Sequence, residues 1–242
     1  MKIFDDLYKI RHSAAHMCAQ ATIRLFPGTI PTIGPVKNEG FFYDVLAPQS
    51  LRESDLKLIE AEMHKIAKEN LSITGQHVPK DDARKTFAHN KFKLEIINDQ
   101  IQGDTAGVYT QGEFVDLCAG GHTETTGEVH FFKLTGISGS YWRADRDGQA
   151  LQRITGVAFS SQAEMDAYFQ RMEDAETYDH RNLGKQLDLF SFHDFAPGMV
   201  FFHNHGTTLF NTLVGRMRTE IQARGYQEIR TPQIMNACLW KQ

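Results

Sequence analysis

Apolar residues recur every three or four positions near the start of the chain, at Leu7, Ile10, Ala14, Met17, Ala21 and Leu25. That period predicts an amphipathic helix over residues 6–26, stopped by Pro27-Gly28. Strands follow at residues 32–36 and 41–45, joined by the turn Lys37-Asn38-Glu39-Gly40. A second helix is predicted over residues 51–70, with Leu56, Ile59, Met63 and Ile66 on its buried face. Residues 71–101 read as a short strand and two short helices. The stretch 108–157 is rich in β-formers and glycine, with strands expected at 108–109, 114–117, 129–133, 141–143 and 151–157. Its connections are too short for crossover helices, so the pairing is expected to be antiparallel. Ser160 and Ser161 cap a long polar helix through residue 178, extending toward 189. A strand (199–203), a helix (207–224) ended by Gly225 and a strand (227–230) complete the pattern. The fold class is α+β.

The composition is that of a soluble globular protein: 242 residues, 41% hydrophobic and 23% charged. No apolar run approaches the roughly 20 residues that span a bilayer, so no membrane partner is expected. The N-terminus lacks a signal-peptide core, and three widely spaced cysteines argue against a disulfide framework. The expected location is the reducing cytoplasm. A net charge of −4 argues against a general nucleic-acid coat protein, though not against RNA binding by a local patch.

Candidate chemistry concentrates in two phrases. His12-Ser-Ala-Ala-His16 puts two imidazoles one turn apart on a helix, offset from the apolar stripe, and Cys118-Ala-Gly-Gly-His122 lies on a glycine-bearing loop. Brought together, the four side chains suit either a hydrolytic pocket or a tetrahedral zinc site. With 11 histidines in the chain, each spacing alone is a weak signal. Cys18 reads as a buried thiol. The pair His203 and His205 reads as a strand end capping the next helix, in preference to a metal or catalytic pair. Arg143, Arg146 and Arg153 are candidates for a phosphate-contacting face, with isolated solvent-facing arginines the equal alternative.

Longer matches carry more weight. Ile10-Arg11-His12-Ser13-Ala14-Ala15-His16, Gly40-Phe41-Phe42-Tyr43-Asp44, Val115-Asp116-Leu117-Cys118, Tyr141-Trp142-Arg143, Leu151-Gln152-Arg153-Ile154, Gly184-Lys185-Gln186-Leu187-Asp188-Leu189 and Ala196-Pro197-Gly198-Met199-Val200 occur in order. In these stretches the chain resembles bacterial threonyl-tRNA synthetase. The resemblance implies an editing domain over residues 1–160, of the additional-domain type shared with alanyl-tRNA synthetases. A linker helix over 161–189 and the N-terminal part of a class II catalytic domain over 190–242 would follow. Gly225 to Pro232 is similar to class II motif 1, which implies a homodimer interface at Pro232. By the same resemblance, the domain usually found ahead of the editing domain, the ATP-binding motifs 2 and 3 and the anticodon-binding domain are absent, so aminoacylation is not expected from this chain alone.

The implied function is that of a threonine–tRNA ligase fragment that hydrolyses mischarged seryl-tRNA(Thr), contacting the tRNA(Thr) acceptor end. The full-length enzyme would join threonine to tRNA(Thr) using ATP, with Mg and zinc in its catalytic core. His12 and Lys93 are expected to activate water, Asp116 and Tyr43 to contact substrate, and His16, Cys118 and His122 to shape the site. Editing in this family is expected to need no cofactor. Zinc on His12, His16, Cys118 and His122 is the alternative, because related alanyl editing proteins bind it with a similar pattern. The rival functions are a free-standing trans-editing deacylase and a non-catalytic tRNA-binding or dimerising paralogue. Two departures stand in the loop: the family's usual arginine after the cysteine is Ala119 and its usual proline before the histidine is Gly121, which points to a more mobile loop.

Overall fold

The computed structural model describes residues 4–232 and 236–238; the chain end at Gln242 lies outside them. Two compact units are present, Met1–Phe169 and Gln170–Gln242. In the first, helix α1 (Asp6–Leu25) opens on Asp5, whose carboxylate accepts the Tyr8 amide. It lies with α2 (Glu53–Glu69) against a five-stranded antiparallel sheet. That sheet is made of β1 (Ile30–Pro31), β2 (Val36–Lys37), β3 (Gly40–Leu46), β7 (Phe131–Tyr141) and β8 (Ala150–Phe159). Its order is β1-β3-β8-β7, with β2 folded back on β3 through Val36↔Phe41 and Lys37↔Gly40. Strand β7 carries a bulge between Leu134 and Gly136.

A smaller antiparallel sheet, β4 (Ile73–Pro79), β5 (Thr105–Gln111) and β6 (Phe114–Leu117), is accompanied by α3 (Lys80–Thr86) and α4 (Lys91–Asp99). The main core joins Met17, Cys18, Tyr43, Ile59, Met63, Ile66, Phe132 and Ile154. A separate cluster of Ala83, Phe87, Ile97, Ala106 and Val108 underlies the smaller sheet.

Ser160 and Ser161 cap α5 (Gln162–Thr177): the Ser161 hydroxyl accepts the Glu164 amide, and Glu164 reaches back to Ser160. The second unit holds α6 (His180–Gln186), β9 (Phe190–Ser191), β10 (Phe201–Phe202), paired antiparallel with β9, and α7 (Asn204–Ala223).

Several boundaries differ from expectation. The polar helix does not run to residue 189: the Asp179 carboxylate accepts the Arg181 amide and starts α6 afresh. The strand expected at 32–36 is interrupted, because Pro31 and Pro35 have no N–H to give the ladder. Gly34 there lies against the Tyr43 ring. No separate strand forms at 141–143; β7 ends at Tyr141 and the chain turns through Arg143 and Ala144, both at positive φ. Residues 227–230 form no strand, since no described strand lies beside them to complete a ladder. Helix α7 starts three residues early, at Asn204.

The buried face of α2 offers a direct check of this packing. Met63→Ala is expected to cost ~2–5 kcal/mol in urea unfolding, because Met63 is fully buried. Leu58→Ala, on the exposed side, should change stability by no more than about 0.5 kcal/mol.

Candidate functional site

Four separate segments of the first unit meet at one buried cluster. Helix α1 supplies His12 and His16, both buried rather than offset toward solvent. Strand β6 directs Phe114 and Asp116 inward while Val115 faces out, the alternation of a half-buried strand. The loop after β6 brings Cys118 and His122 against α1. Tyr43 comes from the middle of β3 and Lys93 from the first turn of α4. Asn90 fixes that turn: its side chain accepts the Phe92 and Lys93 amides and donates to the Pro31 carbonyl at 2.7 Å.

Asp116 is the hub. Its carboxylate is ion-paired with Lys93, accepts the Tyr43 hydroxyl at 2.6 Å and the Leu117 amide at 2.8 Å, and lies 3.5 Å from His16 Nε2. Lys93 and Asp116 are each only 2% exposed, so this charge pair is withdrawn from water. Burial, reinforced by the Asp116 charge, holds the Tyr43 phenol well above its ordinary range and therefore protonated.

Beside that hub the His12 and His122 rings stack at 4.1 Å, and His16 and His122 lie 4.2 Å apart. Cys118 Sγ is 3.4 Å from His12 Nε2 and 3.3 Å from His122 Nε2. Burial pushes all three imidazoles below their ordinary value, His16 well below it, so each is neutral at pH 7. Burial likewise raises the Cys118 thiol to about 11. The cluster thus offers three neutral imidazole acceptors, a protonated thiol and a buried ammonium–carboxylate pair.

As a metal set, one ligand atom from each of His12, His16, Cys118 and His122 lies within 4.8 Å of the others, and neutral imidazoles are the ligating form. His12 Nδ1 is buried without a hydrogen-bond partner. The donor set therefore fits zinc in its chemistry. The ring packing fits less well, because imidazoles on one tetrahedral zinc at ~2.0–2.1 Å would hold their centres roughly 5 Å apart.

The loop glycines have a physical reason. Gly120 and Gly121 both have positive φ, 97° and 88°, which the fixed φ of a proline at 121 could not match. A Cβ at Gly121 would meet the Phe4 and Tyr8 rings at 2.9 Å, so these two aromatics occupy the space a side chain would need.

Sequence reasoning missed Ser13, Thr123 and Asn90. Ser13 Oγ receives the Thr123 amide at 3.0 Å and lies 3.4 Å from His122 Nδ1. Only Asn90, a helix-capping residue type just ahead of an apolar period, carried a signal in the sequence. The three candidate arginines differ in their surroundings, and Arg143 and Arg146 are exposed. Arg153 is paired with Asp44 and lies over Phe42, and Arg143 is paired with Asp99 and Glu95, so both charges are already matched. His203 does lie ahead of α7, held by Asp188 and Ser191.

Comparison with known proteins agrees with the motifs. The family described as threonyl and alanyl tRNA synthetase second additional domain matches residues 107–155. The chain is 47% identical to a threonine–tRNA ligase of Legionella pneumophila (strain Corby), over 98% of its own length and 38% of that relative. It is 44% identical to threonine–tRNA ligases of Desulfosudis oleivorans and Clostridium botulinum (strain Hall), again over 98% of the chain. The resemblance to bacterial threonyl-tRNA synthetases thus holds along nearly the whole chain, which spans under two fifths of the length of these relatives. No helix among the described residues is long and apolar enough to cross a membrane.

The neutral imidazoles make a testable pH dependence. Below 6.5 the unfolded chain takes up protons that the folded chain resists, so stability should fall as pH drops from 7 to 5. Each histidine contributes at most about 1.4 kcal/mol per pH unit. Urea unfolding across that range should show a shallower slope for His122→Asn; an unchanged slope would contradict the assignment of a buried neutral imidazole.

Proposed function

We propose that this relative of the bacterial threonine–tRNA ligases hydrolyses the ester of seryl-tRNA(Thr) at the cluster around Asp116. The observation that carries the reading is the convergence, in one buried place, of neutral imidazoles from α1 and the β6 loop with the Lys93–Asp116–Tyr43 group. Ester hydrolysis needs a proton acceptor, a positioned water and charge to stabilise the oxyanion. His12, neutral and next to the thiol, takes the water's proton. Lys93, paired with Asp116, serves as an ammonium rather than a neutral base; it holds the water and faces the developing oxyanion. Asp116 already has three firm partners, so the substrate's α-ammonium shares it with Lys93 instead of finding it free. Tyr43 fixes the orientation of that carboxylate, and His16, Cys118 and His122 bound the pocket.

A second sieve is needed because threonine and serine differ by one methyl group, worth only ~1–3 kcal/mol of discrimination in a synthetic pocket. A hydrolytic pocket that excludes the extra methyl removes the smaller error. On resemblance alone, we extend the reading to the longer protein: threonine–tRNA ligation with ATP and Mg and a core zinc, a class II catalytic domain from about residue 190, a homodimer interface at Pro232, and a cytoplasmic location.

The zinc reading is favoured by one observation, the clustering of the four donor atoms. His12, His16, Cys118 and His122 would hold the ion, and zinc would supply a structural cross-link between α1 and the β6 loop. A site closed by four protein ligands leaves no position for water. We take the metal-free reading as primary, because His12 and His122 stack face to face at 4.1 Å. Protein purified without added zinc should then hold well under one equivalent by elemental analysis; a full equivalent would establish the metal reading.

Offered seryl- and threonyl-tRNA(Thr) side by side, the protein should hydrolyse the seryl ester faster. His12→Ala should lower that rate by about 10²-fold without altering the far-UV circular dichroism, and Lys93→Ala should abolish it. Undiminished hydrolysis in both variants would remove both residues from the mechanism. Hydrolysis of neither ester by the unaltered protein would favour the non-catalytic tRNA-binding paralogue.

A further inference from the structure

A chain of hydrogen bonds takes its direction from an end that can only accept. The Thr125 carbonyl is such an end, with the Thr123 hydroxyl 2.8 Å away and the Ser13 hydroxyl 3.0 Å from that of Thr123. Each hydroxyl has one proton. If Thr123 gave its proton to Ser13, its oxygen would face the carbonyl lone pairs at 2.8 Å with no hydrogen between them. The Thr123 proton therefore goes to Thr125, and the Ser13–Thr123 contact is made by the Ser13 proton. Ser13 Oγ, which also receives the Thr123 amide at 3.0 Å, is left with acceptor capacity alone. Its remaining neighbour is His122 Nδ1 at 3.4 Å. Ser13 is fully buried and Thr123 nearly so, which keeps solvent from supplying a different partner.

We propose that Ser13 and Thr123 are positioning residues that fix His122 as its Nδ1–H tautomer and so present the Nε2 lone pair toward Cys118, 3.3 Å away. The consequence for hydrolysis rests on the deacylase reading above; the tautomer itself does not. A bare Nε2 lets His122 accept the Cys118 thiol proton, which keeps the sulfur's proton off His12 Nε2, 3.4 Å on its other side. The His12 lone pair then remains available for the water. The opposite tautomer would point an N–H at the sulfur and turn the thiol proton toward His12.

The test uses histidine labelled with 15N in the full chain after treatment with a chelator. Two-bond 1H–15N spectra separate protonated from bare ring nitrogens, and His122 is assigned by its loss in His122→Asn. The unaltered protein should show a proton on Nδ1 and a bare Nε2. Thr123→Val releases the Ser13 proton to turn toward His122 and should reverse the pattern; Thr123→Ser should restore it. Seryl-tRNA hydrolysis should fall by about tenfold or more in Thr123→Val with little change in KM, and recover in Thr123→Ser. A proton on Nε2 of the unaltered protein would overturn the proposal, and so would a Thr123→Val spectrum matching it. Should Thr123→Val fail to fold, the spectrum of the unaltered protein alone decides. A correct tautomer in a protein that hydrolyses no aminoacyl-tRNA would support this assignment while refuting the deacylase reading.

Discussion

The buried contact among Asp116, Lys93 and Tyr43 is the constraint on which the site depends. It joins three elements that apolar packing also brings together through Phe114, Phe92 and Leu46: β6 of the smaller sheet, α4 beside it and β3 of the larger sheet. Withdrawing two charges from water is costly, and the cost is offset only when the remaining lone pairs and protons are satisfied. Here the Tyr43 hydroxyl and the Leu117 amide satisfy lone pairs of the Asp116 carboxylate. Loss of either charged partner would leave the other buried and alone. The pair therefore fixes where the loop carrying Cys118 and His122 meets α1.

The imidazole cluster follows from that placement. His12, His16 and His122 crowd together because α1 packs on one side and the loop closes the other, and crowding with burial keeps all three neutral. Three adjacent imidazolium ions would repel one another in a low-dielectric setting. Neutral imidazoles accept protons or ligate metal, so the same physics serves both readings of the site. What separates them is whether the lone pairs converge on a point or pack as rings. The stacking of His12 on His122 supports packing and a role in moving protons.

Much of this was legible in the residues. The period of α1, the Pro27-Gly28 stop and the hairpin turn at residues 37–40 are local signals that tertiary contacts did not override. The spacing of His12 and His16 placed them together on one helix, and the family resemblance implied Cys118, His122, Lys93, Asp116 and Tyr43 as members of the same site. The burial of the histidines was not legible, because the apolar stripe of α1 gives one buried face while a second covering layer comes from a loop about a hundred residues away. The same limit hid Ser13 and Thr123, whose meaning lies in a contact spanning 110 residues. The matched charges of Arg153 and Arg143 depend on which acids, Asp44 and Asp99, the fold sets beside them. The break before α6 had a local signal in Asp179, a capping residue type inside a polar helical pattern.

The central claim is that Asp116 and Lys93 stabilise this arrangement as a pair, and a double-mutant cycle measures that directly. Urea unfolding should show Lys93→Met alone losing ~3–5 kcal/mol, with Asp116→Asn also destabilising. The double variant should lose clearly less than the sum of the two, because neither charge is then left buried without its partner. Losses that simply add would mean that the two side chains contribute independently, and the account of the site as one electrostatically anchored unit would be wrong.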